Sequence, residues 1–370
     1  MKICHITTAH PPFDIRIYHK ECRSLAEAGF EVFLLARNHE NQKANGVQMV
    51  LLPSRKGRLG RIRSALLDVP PLALGTGAQL FHFHDPEIIP TGVLLKLLGR
   101  KVVYDVHEDF GAAAHSRDWI PGPVKKAISA LFRLAEKTGC LFFDAAVAAT
   151  ASIAGNLPCR KTVLVQNFPL KNELVGVRGD GNSASKYVVY VGACSEDRGM
   201  KRMVEALGLL PQDLQLKLKI AGVVSPVLKD SVSSLPGWKR VELLGYMGRK
   251  EVGELLNSAT AGLVLFQPTP NHINSQPNKL FEYMSAGLPI IVSDFPLWKS
   301  LIEDTGCGIC VDPLDPAALA AAMQNLLAAP DQAHEMGRHG RKAVEEKYNW
   351  EAEAPKLIAL CQKLTESAAK

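Results

Sequence analysis

The stretch Asn274-Ser275-Gln276-Pro277-Asn278-Lys279-Leu280-Phe281-Glu282-Tyr283-Met284-Ser285-Ala286-Gly287-Leu288-Pro289-Ile290-Ile291-Val292-Ser293-Asp294 decides how this chain folds. Pro277 ends a loop, apolar residues then recur at helical spacing, and Gly287-Leu288-Pro289 stops the helix before a buried strand. Loop, helix, glycine stop and apolar strand make one unit of a parallel α/β sheet. The first turn of such a helix has unsatisfied N–H groups and a partial positive charge, which suits a diphosphate. Lys279 adds a cation there, and Glu282, one turn on, can accept hydrogen bonds from sugar hydroxyls. An amphipathic helix with a solvated Lys and Glu fits the same spacing.

Outward from this stretch the alternation continues in both directions. Strands are expected at Lys2–Thr7, Glu31–Ala36, Gln48–Leu52, Leu80–Phe83, Lys101–Asp105, Ala145–Ala149 and Thr162–Val165. A second series is expected at Tyr187–Val191, Leu216–Ala221, Val241–Leu244, Ala261–Leu265, Pro289–Val292 and Gly308–Val311. Helices are expected at Tyr18–Ala28, Arg198–Leu209, Arg249–Ser258 and Asn278–Ala286, among others. Lys171–Lys186, with three glycines and no period, reads as a linker. The expectation is therefore α/β: a domain over residues 1–170, a linker over 171–186, a domain over 187–348 and a terminal helix over 349–370. Two Rossmann-like parallel-sheet domains would face each other across a cleft, with ligands beyond the carboxyl ends of the strands.

Composition agrees with a folded chain. It is 47% hydrophobic and 22% charged, which excludes a disordered or collagen-like polymer. No apolar run reaches the roughly 20 residues of a spanning helix, and the opening Met1-Lys2-Ile3-Cys4-His5 reads as a strand rather than a targeting segment. A cytoplasmic protein is the expectation. The eight cysteines are scattered and too dilute for a disulfide framework, and Cys307-Gly308-Ile309-Cys310 lacks the further ligands of a zinc site. Residues 1–170 carry a net charge of +7 and the remainder −1, so any anionic partner belongs with the first half.

Several chemistries are excluded by absence. No G-x-G-x-x-G follows the first strand, no G-x-x-x-x-G-K-[ST] occurs, and there is no Asp-x-Asp for a metal-bridged nucleotide. His82 and His84 share one strand face near Asp85, His107, Glu108 and Asp109, a set that resembles a hydrolase metal site. Hydrogen-bonded structural histidines explain it without metal. Arg55-Lys56-Gly57-Arg58-Leu59-Gly60-Arg61-Ile62-Arg63 packs five cations beside apolar residues. It reads as a solvated loop or as a contact for anionic lipid headgroups, extended by Lys125, Lys126, Arg133 and Lys137. No aromatic residues interleave the cations, so nucleic acid is not expected.

Lys279-Leu280-Phe281-Glu282-Tyr283-Met284-Ser285-Ala286-Gly287-Leu288-Pro289 resembles the nucleotide-sugar signature of glycosyltransferase family 4, which has the GT-B fold. Further matches run along the chain: His10-Pro11 with Asp14-Ile15-Arg16, His82 to Glu87, Val103 to Asp109, Tyr190-Val191-Gly192 to Arg198-Gly199, Ile220-Ala221-Gly222, Val241 to Tyr246, and Tyr348-Asn349-Trp350. The resemblance implies a retaining transfer from a UDP- or GDP-sugar to an acceptor hydroxyl, without metal or other cofactor. It places Arg198, Lys279 and the backbone of Asn278, Lys279 and Leu280, after Pro277, on the donor diphosphate. Glu282 would hold the ribose, and Gly192, Gly222, Gly245, Tyr246 and Met247 the rest of the nucleotide. His107 would lie near the transferred sugar, with Asp14, Arg16 and His84 on the acceptor side. Asn274 stands where the family has its first signature Glu, and Ala193 where it has an Arg. Arg16 could then supply charge in compensation. The implied setting is bacterial polysaccharide, lipopolysaccharide or glycolipid assembly on a sugar or polyprenyl-linked glycan acceptor, at the inner face of a membrane. The rival readings are a sugar-nucleotide epimerase, a metal-dependent hydrolase and a non-catalytic nucleotide-sugar-binding scaffold.

Overall fold

In the computed structural model residues 1–37, 41–107, 122–174 and 186–366 are described. Most of the expected linker, residues 175–185, lies outside them, as do Glu108 and Asp109 and the side chains of Lys125 and Ile128. The chain divides into two compact units, Met1–Asn167 with Trp350–Lys370, and Phe168–Asn349.

Period-two alternation builds the first unit. Its strands are β1 (Lys2–Ile6), β2 (Glu31–Ala36), β3 (Gln42–Ala44), β4 (Val47–Leu51), β5 (Leu80–Phe83), β6 (Lys101–Val106), β7 (Ala145–Ala148) and β8 (Thr162–Leu164). They form one sheet in the order β3-β4-β2-β1-β5-β6-β7-β8, parallel except for the short edge strand β3. Cys4, Ile6, Phe81, Phe83, Val102, Tyr104 and Val106 project to one face and form a hydrophobic core there. The residues between them, including His5, His82 and Asp105, take the opposite face. That polar face is also buried.

Helix α1 (Ile15–Cys22), wound with wide turns and continued by Arg23–Glu27, runs past that face. It starts three residues ahead of the expected Tyr18. Asp14 caps it, its Oδ1 accepting the N–H groups of Arg16 at 2.8 Å and Ile17 at 2.9 Å. The final helix of the chain, Trp350–Glu366, packs on the same unit, and Trp350 Nε1 donates to Ser24 Oγ at 2.8 Å.

Two expectations are corrected here. The basic segment is not a loop: Gly57–Arg63 forms helix α2 and Arg55 pairs with Asp68 at 2.7 Å. Second, Cys140 and Cys159 are joined as a disulfide, while Cys307 and Cys310 remain thiols.

The second unit carries β9 (Tyr187–Val191), β10 (Lys217–Ala221), β11 (Val241–Gly245), β12 (Ala261–Val264), β13 (Ile290–Ser293) and β14 (Gly308–Val311), all parallel, in the order β11-β10-β9-β12-β13-β14. Its inner strands β9, β12 and β13 are apolar on both faces, as a parallel sheet covered by helices requires, whereas β10 and β11 towards one edge carry Lys217, Lys219 and Glu242. Tyr190, Leu218, Ile220 and Leu263 enter one core, and Val189, Val264, Ile290 and Val292 the other. Among the described residues, no helix is long and apolar enough to cross a membrane.

Candidate functional site

The carboxyl ends of β9, β10 and β11 carry glycines, for close backbone approach at Gly222 and for left-handed turns at Gly192 and Gly245. A Cβ at Gly222 would sit 1.9 Å from the Gly192 carbonyl oxygen, so the turn after β10 can approach the turn after β9 only without a side chain. Gly192 (φ +109°) and Gly245 (φ +72°) adopt left-handed conformations in the neighbouring turns. Tyr246 follows Gly245 and is 88% exposed, whereas Met247 folds back against the core.

Helix α3 (Met200–Leu209) begins two residues later than expected, and Gly199 at φ +83° stands at its start. Arg198 therefore lies in the turn between β9 and α3, where its guanidinium donates to the Ala193 carbonyl at 3.0 Å. Helix α4 (Asn278–Ser285) starts after Pro277. The amides of Asn278 and Lys279, in its first turn, have no intrahelical acceptor by position. The Leu280 amide donates to the Pro277 carbonyl at 3.1 Å, which corrects the expectation that it serves a ligand.

Lys279 is buried, and its Nζ has no hydrogen-bond partner among the described residues. The ammonium sits 3.6 Å from the Tyr190 ring centroid and 5.4 Å from that of Phe266. Arg198 lies over the same Phe266 ring at 5.7 Å. Burial, aided by the Arg198 charge, lowers the Lys279 amine to about 7. A buried, half-neutral amine beside a second cation and helix-end amides is a site short of negative charge. A Cβ at Gly192 would lie 3.5 Å from this Nζ, so the glycine turn borders it directly.

Glu282 is bonded away from Lys279, although its charge still acts on that amine. Its Oε1 accepts from Arg249 at 2.7 Å, and Arg249 also pairs with Glu173 at 2.7 Å. Asn274 is exposed at the end of the short helix Pro270–Ile273.

The first unit presents a different kind of centre. Arg16 is only 3% exposed; it pairs with Asp105 at 3.1 Å and Glu21 at 2.9 Å and donates to the Val165 carbonyl at 3.0 Å. Burial opposes ionisation of Asp105, but Arg16 and then His107 outweigh it and hold the carboxyl well below its ordinary range. Burial and the Asp105 charge push Glu21 the other way. Arg16 is thus committed to internal carboxylates, correcting the expectation that it adds charge for a ligand. His84 is corrected likewise. It is 1% exposed and bonds to His5 and His107, so it does not contact an acceptor itself.

His5, Glu21, His82 and His84 are close enough together to suggest a metal. However, the three imidazole planes lie within 28° of parallel, which aims their lone pairs side by side rather than at one point, and a guanidinium already occupies the cluster. Asp14 lies nearer the surface; burial opposes its ionisation, but His10 and the Ile17 amide prevail and bring its carboxyl to about 2. His107, at the end of β6, retains some exposure.

A model described as Glycosyltransferase Family 4 matches residues 16–161, and one described as Glycosyl transferases group 1 matches residues 179–343, so that together they take in both units. The chain belongs to glycosyltransferase family 4. Among curated relatives of this family 4 chain is the GDP-mannose:cellobiosyl-diphosphopolyprenol alpha-mannosyltransferase of Xanthomonas campestris, 23% identical over 95% of this chain and 93% of the relative. Against the first relatives it matches, the chain spans less than half of their length, 45% in each of two cases. Of solved structures, sucrose-phosphate synthase from Thermosynechococcus elongatus superposes with a TM-score of 0.82 at 19% identity, covering 99% of both chains. Anabaena HepE, solved in complex with UDP-glucose, gives 0.73 at 12% identity over 98% of this chain and 100% of that one. The fold of the family 4 chain is GT-B.

Three residues of this family 4 protein escaped the sequence reading: Glu21, Arg249 and Glu173. Each is an unremarkable charged residue in its local pattern and gains meaning only through a partner distant in the chain.

Proposed function

We propose that the chain transfers a sugar from a UDP- or GDP-sugar to an acceptor hydroxyl with retention, and does so without a divalent ion. The observation that carries this reading is the unpartnered, buried Lys279 ammonium beside Arg198 and the first-turn amides of α4. A diphosphate supplies the missing negative charge. As the sugar leaves, charge grows on the departing phosphate, and these fixed groups stabilise it more than the ground state. Arg249 aims the Glu282 carboxylate, whose second oxygen is left to accept from ribose hydroxyls. His107 lies on the acceptor side and contacts the reacting sugar.

The Xanthomonas relative, a mannosyltransferase acting on a diphosphopolyprenol-linked glycan, supports a lipid-linked acceptor in envelope or polysaccharide assembly. The exposed Leu59, Ile62, Leu66 and Leu67, on or just after the basic helix α2, support contact with an anionic membrane surface.

Thermal-shift measurement against nucleoside mono- and diphosphates and their sugar conjugates tests the donor reading, because a ligand of the native state raises the melting temperature. UDP or GDP should stabilise the wild type, with a weaker response in Arg198→Ala and Lys279→Ala. Equal responses in all three proteins would remove the phosphate site. Vesicle flotation tests the surface: equal recovery with anionic and neutral vesicles would count against membrane contact.

A further inference from the structure

Four side chains of the first unit form a chain of hydrogen-bonding groups whose direction is fixed by one of them. His107 Nε2 lies 3.2 Å from His84 Nδ1, and His84 Nε2 lies 3.0 Å from His5 Nδ1. Each contact joins two ring nitrogens, so in each pair one must donate and the other accept. A neutral imidazole has one of each, and the two contacts are therefore coupled through His84. Taken alone, the three rings allow either direction: inward from His107 to His5, or outward.

Asp105 breaks the tie. Its Oδ1 is 3.4 Å from His107 Nε2, while its Oδ2 is 3.3 Å from His82 Nε2 and 3.6 Å from His84 Nδ1. Both oxygens are held by the Arg16 guanidinium, at 3.1 and 3.3 Å, so the group is ionised and can only accept. A bare lone pair at His107 Nε2 would face this carboxylate across a buried, low-dielectric gap and be repelled. A proton there is attracted by it and reaches His84 Nδ1 as well, whereas a proton on His84 Nδ1 would meet, at the longer 3.6 Å, an oxygen that already accepts from Arg16 and faces His82 Nε2.

We infer that Asp105 is a positioning residue that locks His107 as the Nε2–H tautomer, drives the hydrogen bonds inward through His84 to His5, and leaves His107 Nδ1 as the nitrogen that accepts a hydrogen bond in sugar transfer. This rests on the reading of His107 as a residue that contacts the reacting sugar. It assigns His107 the part of an acceptor towards a hydroxyl rather than that of a donor. It also gives two residues that touch no substrate a role: Asp105 selects the nitrogen, and Arg16 keeps Asp105 charged and oriented.

Long-range proton–nitrogen correlation spectra of the full chain labelled with 15N-histidine read the tautomer directly, with His107→Gln identifying the resonances. Wild type should show a protonated Nε2 and a bare Nδ1 at His107, and the same pair at His84. Asp105→Asn, whose amide can donate, should lose the single tautomer and move His107 towards Nδ1–H. His84→Gln, whose side chain can accept from His107 and donate to His5, should keep the wild-type pattern. A protonated Nδ1 at His107 in the wild type overturns the inference, as does an unchanged tautomer in folded Asp105→Asn. If Asp105→Asn does not fold, the wild type and His84→Gln decide it alone. No substrate enters these spectra, so a failure here is distinct from a failure of the proposed activity, which the nucleotide titrations judge.

Discussion

The two sheets end differently, although both are parallel and both belong to the same fold. At the strand ends of the first unit, charge is internally paired: Arg16 of helix α1 with Asp105, and Glu21 beside them held towards its neutral form, all out of water. At the strand ends of the second, Lys279 is buried without a hydrogen-bonding partner among the described residues and is bordered by the Gly192 turn. The first arrangement holds a reactive side chain in one orientation. On the proposed function, the second leaves a deficit for a diphosphate to fill. Pairing and its absence would then mark rigid presentation and binding, respectively.

The comparison breaks first at Arg16. Arg16→Met removes the cation and strands the Asp105 carboxylate in a buried setting beside a Glu21 held towards its neutral form. Loss of one member of a buried ion pair costs about 3–5 kcal/mol. Urea unfolding should show that loss, and one below about 1 kcal/mol would mean the cluster is not held by its charges.

At Lys279 the sign should reverse. The folded-state amine, near 7, lies below its ordinary value of 10.5, so between those two values the unfolded chain binds more protons and stability of the wild type rises with pH. Below about pH 7 the ammonium is charged in both states and the burial penalty is fully present. Lys279→Met should therefore be more stable than wild type at neutral pH, by roughly 2 kcal/mol. That advantage should fade as the pH approaches 10.5. The same variant should bind UDP or GDP about tenfold or more weakly, since hydrogen bonds to charged groups contribute roughly 1.5–3 kcal/mol. Calorimetry in buffers of different ionisation heat should show proton uptake on nucleotide binding by the wild type near neutral pH and none by the variant. A variant both less stable and unimpaired in binding would make Lys279 an ordinary packing residue.

This contrast between paired and unpaired charge explains what the sequence made legible. Strands such as Tyr187–Val191 were readable because β-branched and aromatic runs bounded by turn residues have few other interpretations. Helix α4 was readable from Pro277 and Gly287 at its two ends. Helix α1 was placed three residues late because Arg16, His19 and Lys20 break its apolar period, although Asp14 was the available capping signal. Helix α2 was missed because its cations and glycines carry no apolar stripe of the expected width. The sites divide in the same way. Lys279 and Arg198 could be chosen by residue type and position, but Lys279's burial depends on Tyr190 and Phe266, which are far away in sequence. Arg16 looked available for a ligand because its partner Asp105 lies 89 positions along the chain.

The smallest effect expected is at Tyr246, and it isolates binding from stability altogether. The side chain is 88% exposed after Gly245, so nothing in the folded core depends on it. In the proposed nucleotide site, an aromatic ring presented to solvent beside a left-handed glycine turn is placed to stack on the base. Truncation in Tyr246→Ala should leave the urea midpoint unchanged. It should weaken UDP or GDP about fivefold, the equivalent of about 1 kcal/mol for a stacked aromatic pair, and should leave ribose 5-phosphate, which has no base, unaffected. An equal loss for the baseless phosphate would mean that the ring acts on the turn rather than on the base. In that event the exposed rim of the second unit, like the buried face of the first, would be shaping backbone instead of touching ligand.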